Sequence, residues 1–216
     1  MRYLLMLTLL VLFSGSACAD GQLRSLPDPA SDIPLAQTSS RQTAVFAGGC
    51  FWGMQLVFQH VKGVISATSG YAGGTASTAH YKIVSSGTTG HAESVQVVYD
   101  PAKVSYGRLL KIYFAVAHNP TELNRQGPDS GTQYRSEIFT TDAEQQHIAQ
   151  AYIAQLDAAQ VYPEQIVTKV AALPGFYPAE AYHQNFATLH PYYPYIYIND
   201  RPKLAHLKEQ FPDWYK

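Results

Sequence analysis

The sequence predicts an α+β fold in the split βαβ, ferredoxin-like order, with an added helix and strand and an irregular C-terminal wrap. Three observations carry that reading. The apolar pattern runs strand, helix, strand, strand, helix, strand, and then shows one more helix and strand. No repeat, low-complexity tract or linker interrupts it after Gln42. The 216 residues, 46% hydrophobic and only 14% charged, suffice for one domain with a sizeable core.

Taken in order, residues 1–19 read as a secretory signal, 20–42 as a flexible arm and 43–216 as the folded domain. Arg2 precedes the apolar run 4–13, and small residues lead to a cleavage point after Ala19. Ten helical residues span about 15 Å, half a bilayer core, so no membrane span is expected. The expected location is periplasmic or secreted. Lipid modification at Cys18 is the alternative, disfavoured because Gly15 stands where such a signal wants an aliphatic residue. The arm holds Pro27, Pro29 and Pro34 and no periodic apolar pattern.

Residues 44–47 form a buried strand closed by Gly48-Gly49, and Phe51, Met54, Val57 and Phe58 place a helix over 50–60. A strand over 64–71 ends at Gly73-Gly74. Residues 91–99 alternate, setting His91, Glu93, Val95 and Val97 on one face until Pro101. Leu109, Leu110, Tyr113, Phe114 and Ala117 make a helical stripe that Asn119-Pro120 terminates. A polar loop over 121–134 leads to a short strand at 137–140. Thr141 and Glu144 suggest a capping box for a helix ending near Ala158, followed by a strand over 166–170. The Pro- and Tyr-rich stretch around His190–Tyr195 reads as packing surface.

Composition removes several classes of function. With formal charge −1 and pI about 6.7, nothing electrostatic calls for nucleic acid or an anionic membrane as partner. Two cysteines exclude a disulfide scaffold and a Cys-rich zinc site. The eight histidines show no H-E-x-x-H spacing, and His91-Ala92-Glu93 lacks the P-C-x-x-C segment of zinc deaminases. No metal and no cofactor are expected.

The chemistry concentrates at Gly48-Gly49-Cys50-Phe51-Trp52-Gly53. A cysteine between a strand and a helix start faces unpaired N–H groups and the positive helix end, which should lower its pKa, while the glycines would admit a substrate to the backbone. The bland reading is a buried structural cysteine. Two aromatics beside Cys50, and Glu93 on an otherwise apolar strand face, favour a reactive one. A Cys–His hydrolase and a non-enzymatic aromatic-pocket binding module remain as alternatives from the residues alone.

The same residues resemble the active-site motif of the A-type peptide methionine sulfoxide reductases. Further matches follow in order: Ala79-His80-Tyr81, Ser86–Glu93, Leu123–Asp129, Gly131–Ser136 and Ala179–Gln184, so that the likeness covers roughly 43–214. The resemblance implies a two-layer plait. It makes Cys50 the nucleophile, Glu93 the proton donor, and Tyr81 and Tyr134 hydrogen-bond donors to the sulfoxide oxygen. Asp129 would support the polar side, and Phe51 and Trp52 would enclose the methyl group. The implied substrates are the S epimer of methionine sulfoxide, free and in oxidised proteins, and the implied state is a monomer. Many relatives resolve the resulting sulfenic acid with a cysteine near the C-terminus. Residues 199–216 contain none, so a thiol or thioredoxin-like reductant is implied instead. For the leader, intact-mass analysis of the native protein should give a chain starting at Asp20; a lipidated Cys18 start or an uncleaved Met1 contradicts that expectation.

Overall fold

The structure is a computed structural model that describes residues 26–216, so the signal reading and Cys18 lie outside the described residues. Strand β1 (Gln42–Gly48) leads through Gly49 and Cys50 into helix α1 (Phe51–Gln59), and β2 (Val64–Ala72) and β3 (Ala92–Tyr99) follow. Helix α2 (Tyr106–Ile112) passes into a π-turn at Tyr113–Ala117, then β4 (Ser136–Thr140) and α3 (Ala143–Ala158). Strands β5 (Lys169–Ala172) and β6 (Phe176–Pro178) and helix α4 (Arg201–Gln210) complete the fold.

The six strands lie in the order β5-β4-β1-β3-β2-β6. The inner four, β4-β1-β3-β2, are the split βαβ arrangement with every neighbour antiparallel; β5 adds in parallel beside β4, and β6 adds antiparallel beside β2. Register places Phe46 opposite both Val95 and Ile138. Their side chains meet Phe58 of α1, Leu109 of α2 and Ile148 of α3 in one large cluster, so the helices share one face of the sheet. The Phe46 ring stacks on Phe58 at 5.2 Å and on Tyr113 at 5.1 Å, centroid to centroid. The other face carries only a small cluster of Val45, Ala47, Ala72, Ala92 and Phe139, which makes the fold two-layered.

Strand alternation holds on β3: Glu93, Val95 and Val97 are buried, whereas His91 sits just before the strand. Some local details differ from expectation. The α3 cap is Asp142, which accepts from Gln145 N–H at 2.8 Å, while Gln145 Oε1 accepts from Thr141 N–H at 3.2 Å. The expected Thr141–Glu144 box does not form, because aspartate is the better acceptor and takes the cap, and Gln145 bonds the residue before the cap. The strand expected at 166–170 pairs only from Lys169, since Val167 N–H instead donates to Pro120 O. The polar loop contains a two-residue hairpin, Arg125–Gln126 against Asp129–Ser130. The tail contains the ten-residue α4.

The described part of the flexible arm, residues 26–42, is a strap. Leu26 is buried, and Tyr152 Oη donates to Pro27 O at 2.8 Å. Asp28 pairs with Lys111 at 2.8 Å. Asp32 accepts from Gly107 N–H at 2.7 Å and from Ser105 Oγ, so it completes the cap of α2 from outside the helix. Ser39 Oγ donates to Asp100 at 2.7 Å. Such a segment carries no apolar period because it docks through single carboxylates and carbonyls. The opposite flank is closed by the tail: Lys62 N–H donates to Trp214 O at 2.7 Å and Lys216 N–H to His60 O at 2.9 Å. Removing the Asp32 carboxylate (Asp32→Ala) should cost about 1–2 kcal/mol in a urea melt, the usual worth of a lost cap; an unchanged midpoint would show the strap to be ornamental.

Candidate active site

Cys50 is the N-cap residue of α1 and is 8% exposed. The turn that presents it is crowded. Gly49 has φ +85°, and a Cβ there would sit 2.5 Å from the Gln126 side chain. A Cβ on Gly53 would sit 2.0 Å from Asp200 Oδ1. These glycines admit the protein's own side chains to the backbone, where the sequence suggested that they admit a substrate. Behind Gly48, burial pushes the His118 pKa down to about 3, so the ring is neutral. His118 Nδ1 donates to Tyr113 O at 3.1 Å and Nε2 accepts from Ser136 Oγ at 2.7 Å. Tyr113 Oη in turn donates to Ala47 O at 2.8 Å, which holds the end of β1.

Hydrogen bonds at Phe51 tie this turn to the sheet, its carbonyl accepting from Ser69 Oγ on β2 at 3.4 Å. Phe51 N–H, an otherwise unpaired donor of the first helical turn, donates to Glu93 Oε2 at 3.1 Å. Burial raises the Glu93 pKa to about 8, the Phe51 N–H bond opposing and Asp129 reinforcing the rise. At neutral pH Glu93 is therefore a carboxylic acid. With Oε2 accepting from Phe51, the proton resides on Oε1.

Cys50 departs from expectation. Burial, and then the charges of Glu93 and Asp200, push its pKa well above the ordinary thiol value; the Trp52 N–H pulls the other way and loses. The helix start is positive, but it is spent on Glu93 and surrounded by carboxyls, so the resting group is a thiol.

The remaining predicted residues converge on the same place. Tyr81 and Tyr134 both have raised pKa values, through burial first and the Glu93 charge second, so both stay hydroxyl donors. The Tyr134 hydroxyl also feels Asp129, Tyr81 and Cys50. Asp129, half-buried, accepts a short hydrogen bond from Tyr195 Oη. Phe51 is fully buried as a floor, its ring 5.9 Å from Tyr71 and 5.0 Å from His183. Trp52 stands half-open as a wall, stacked on Phe186 at 4.0 Å and edged by Tyr195 at 6.0 Å.

Sequence reasoning missed four contributors. Trp52 Nε1 donates to His183 Nδ1 at 3.2 Å, which leaves Nε2 as the protonated nitrogen, buried and without a partner among the described residues. Glu180 accepts from Tyr71 Oη at 2.8 Å and Tyr81 N–H at 2.9 Å, fixing Tyr81 beside the site. Tyr195, read as packing surface, is a site residue. Asp200 is enclosed beside Gly53. The Asn199-Asp200-Arg201-Pro202 run does carry a helix-start signature, yet Asp200 makes no capping bond and turns inward.

The family model for peptide methionine sulfoxide reductase matches residues 42–215. A Mesorhizobium japonicum protein, peptide methionine sulfoxide reductase MsrA 2, is 63% identical over 174 residues, covering 81% of this chain and 89% of that protein. A Synechocystis protein of the same name is 53% identical over 190 residues, covering 87% and 89%. Among solved structures, reduced Mxr1 from Saccharomyces cerevisiae superposes with a TM-score of 0.65 at 29% identity, over 74% of this chain and 94% of that one. Methionine sulfoxide reductase A of Corynebacterium diphtheriae gives 0.61 at 30% identity, over 79% and 94%.

The buried acid at Glu93 has a consequence for stability. Its folded pKa, about 8, lies above the ordinary 4.5, so its contribution is complete below pH 4.5 and is lost as pH rises toward 8. Each unit of displacement is worth about 1.4 kcal/mol. Urea melts of Glu93→Gln should therefore gain on wild type between pH 4.5 and 8; a constant difference across that range would contradict a buried proton.

Proposed function

The chain belongs to the A-type peptide methionine sulfoxide reductases, and we propose that Cys50 is the nucleophile with which it removes the sulfoxide oxygen. It is an oxidoreductase that returns methionine sulfoxide to methionine and so repairs oxidised proteins. The observation that carries the residue assignments is the protonated Glu93, bonded to the helix turn that presents Cys50.

In this reading the sulfoxide oxygen accepts the proton on Glu93 Oε1 and hydrogen bonds from Tyr81 and Tyr134. That withdraws electrons from the sulfoxide sulfur, which the Cys50 sulfur then attacks. Phe51 and Trp52 enclose the methyl group, an apolar contact that sulfur favours with aromatic rings. The balance is Cys50 thiol plus sulfoxide giving Cys50 sulfenic acid plus methionine. The thiol proton replaces the one that Glu93 gave up. Asp129, held by Tyr195, supports the polar side.

Among the 216 residues only Cys18 and Cys50 are cysteines, and Cys18 lies in the leader. The sulfenic acid is thus resolved by an external thiol or a thioredoxin-like protein, which forms a mixed disulfide at Cys50 with loss of water; a second thiol then frees Cys50. The S epimer, free or in proteins, is the proposed substrate. The leader supports export to the periplasm or beyond. The completeness of the site within one chain supports a monomer as the working unit.

Cys50→Ser should abolish turnover, and Glu93→Gln should slow it by about 10²–10⁴-fold. The wild-type single-turnover rate should carry a falling limb above about pH 8 that Glu93→Gln lacks. One turnover without reductant should release one methionine per chain and leave Cys50 trappable by dimedone. Near-wild-type rates in Glu93→Gln would remove Glu93 from its role, and a Cys18–Cys50 disulfide in the exported enzyme would overturn direct external resolution.

A further inference from the structure

The reaction above makes no use of Asp200. Its side chain is fully enclosed, Lys203 Nζ donates to Oδ1 at 3.1 Å, and Oδ2 has no hydrogen-bond partner among the described residues. An enclosed carboxylate with an unserved oxygen costs stability, so its retention in this place asks for a use. The place is specific. A Cβ on Gly53 would lie 2.0 Å from Asp200 Oδ1 and 2.8 Å from Lys203 Nζ, so both charges stand against the first turn of α1, the turn that Cys50 begins.

The charged and titratable groups facing Cys50 come from several elements: Glu93 on β3, Asp129 on the hairpin, Asp200 and Lys203 in the tail, and the hydroxyls of Tyr81, Tyr134 and Tyr195. The hydroxyls stay protonated. Glu93 carries its proton at neutral pH, and the Asp129 charge is shared with the Tyr195 hydroxyl. Burial raises the Asp200 pKa, and the ammonium of Lys203, 3.1 Å from Oδ1, opposes that rise and favours the ionised form. Of the three carboxyls, Asp200 is the one paired with an ammonium, enclosed, and left with an unserved oxygen against the turn that Cys50 begins.

We propose that Asp200, steadied by Lys203, guards the nucleophile: its carboxylate keeps the Cys50 sulfur in the unreactive thiol form while no substrate is bound. The proposal rests on Cys50 being the nucleophile. Asp200 is a positioning residue that acts through charge. Thiolates, and not thiols, react with adventitious oxidants. A sulfur with no second cysteine among the described residues has no internal rescue once it passes sulfenic acid. Sulfoxide, by contrast, is drawn into reaction by the acid at Glu93.

The test is alkylation of the full chain by iodoacetamide between pH 6 and 10, read on the Cys50 peptide by mass spectrometry in wild type, Asp200→Asn and Lys203→Met. Asp200→Asn should shift the rate profile about one pH unit lower, close to ten-fold faster alkylation at pH 7. Lys203→Met, which leaves the enclosed Asp200 to take up a proton, should shift it lower too, whereas Asp200→Glu, run alongside, keeps the charge and should follow wild type. A coincident Asp200→Asn profile overturns the proposal, and so does an Asp200→Glu profile that moves as far as that of Asp200→Asn, which would mean loosened packing. If Asp200→Asn does not fold, Lys203→Met and Asp200→Glu decide, and alkylation of Lys203→Met no faster than wild type refutes the guard. Sulfoxide turnover measured alongside keeps the two readings apart. Turnover surviving Cys50→Ser would remove the nucleophile itself, whereas Cys50-dependent turnover with unmoved profiles would remove only the guard.

Discussion

The hydrogen bond from Phe51 N–H to Glu93 is the constraint around which the rest is arranged. It joins the first turn of a helix to the middle of a sheet, and it can form only if the chain leaves β1 and enters α1 without a side chain in the way. That requirement explains Gly49, where the backbone is left-handed and Gln126 presses close. It also explains the neutral His118 behind Gly48 and the Tyr113 hydroxyl on Ala47 O, which together stop the end of β1 from moving. Register does the rest: Phe46 opposite Val95 sets β3 so that Glu93 reaches the helix start.

Polar groups gathered in this way are expensive. Glu93, Asp200 and the Cys50 thiol are all enclosed, and none returns much stability. The aromatic core offsets them. Phe46 with Phe58 and Tyr113, and Phe114 with Tyr152, fill the space between sheet and helices with rings that bury large areas and need few hydrogen bonds. A chain poor in charge and rich in tyrosine can carry an acid in its interior because hydroxyls such as those of Tyr113, Tyr152 and Tyr162 point to carbonyls, while those of Tyr81 and Tyr134 face the site.

Much of this was legible in the sequence, for identifiable reasons. The four central strands and α1 announce themselves by period, and Glu93 stands out because a carboxylate interrupts an apolar strand face. Cys50 stands out through its glycine and aromatic neighbours, and the family likeness gathers Tyr81, Tyr134 and Asp129 around it. What stayed hidden lacks a period. Asp28 and Asp32 dock the strap through single atoms. Tyr195 and Asp200 act from a tail whose neighbours, such as Tyr192 and Tyr197, are exposed. The direction of the Cys50 shift was misread because a helix start was counted alone. The carboxyls that gather there come from β3, the hairpin and the tail, and only the tertiary fold brings them together.

The clamp made by the last residues also sets the order in which the molecule can be finished. Leu207 and Phe211 belong to the main core, and Trp214 and Lys216 bond backbone groups at the far end of α1. During synthesis the N-terminal strands and helices emerge long before these partners exist, so the helix layer stays open and its apolar face uncovered. Closure waits for residues 207–216. Until residues 207–216 have been made, the helix layer keeps an apolar face that any nearby apolar surface can meet.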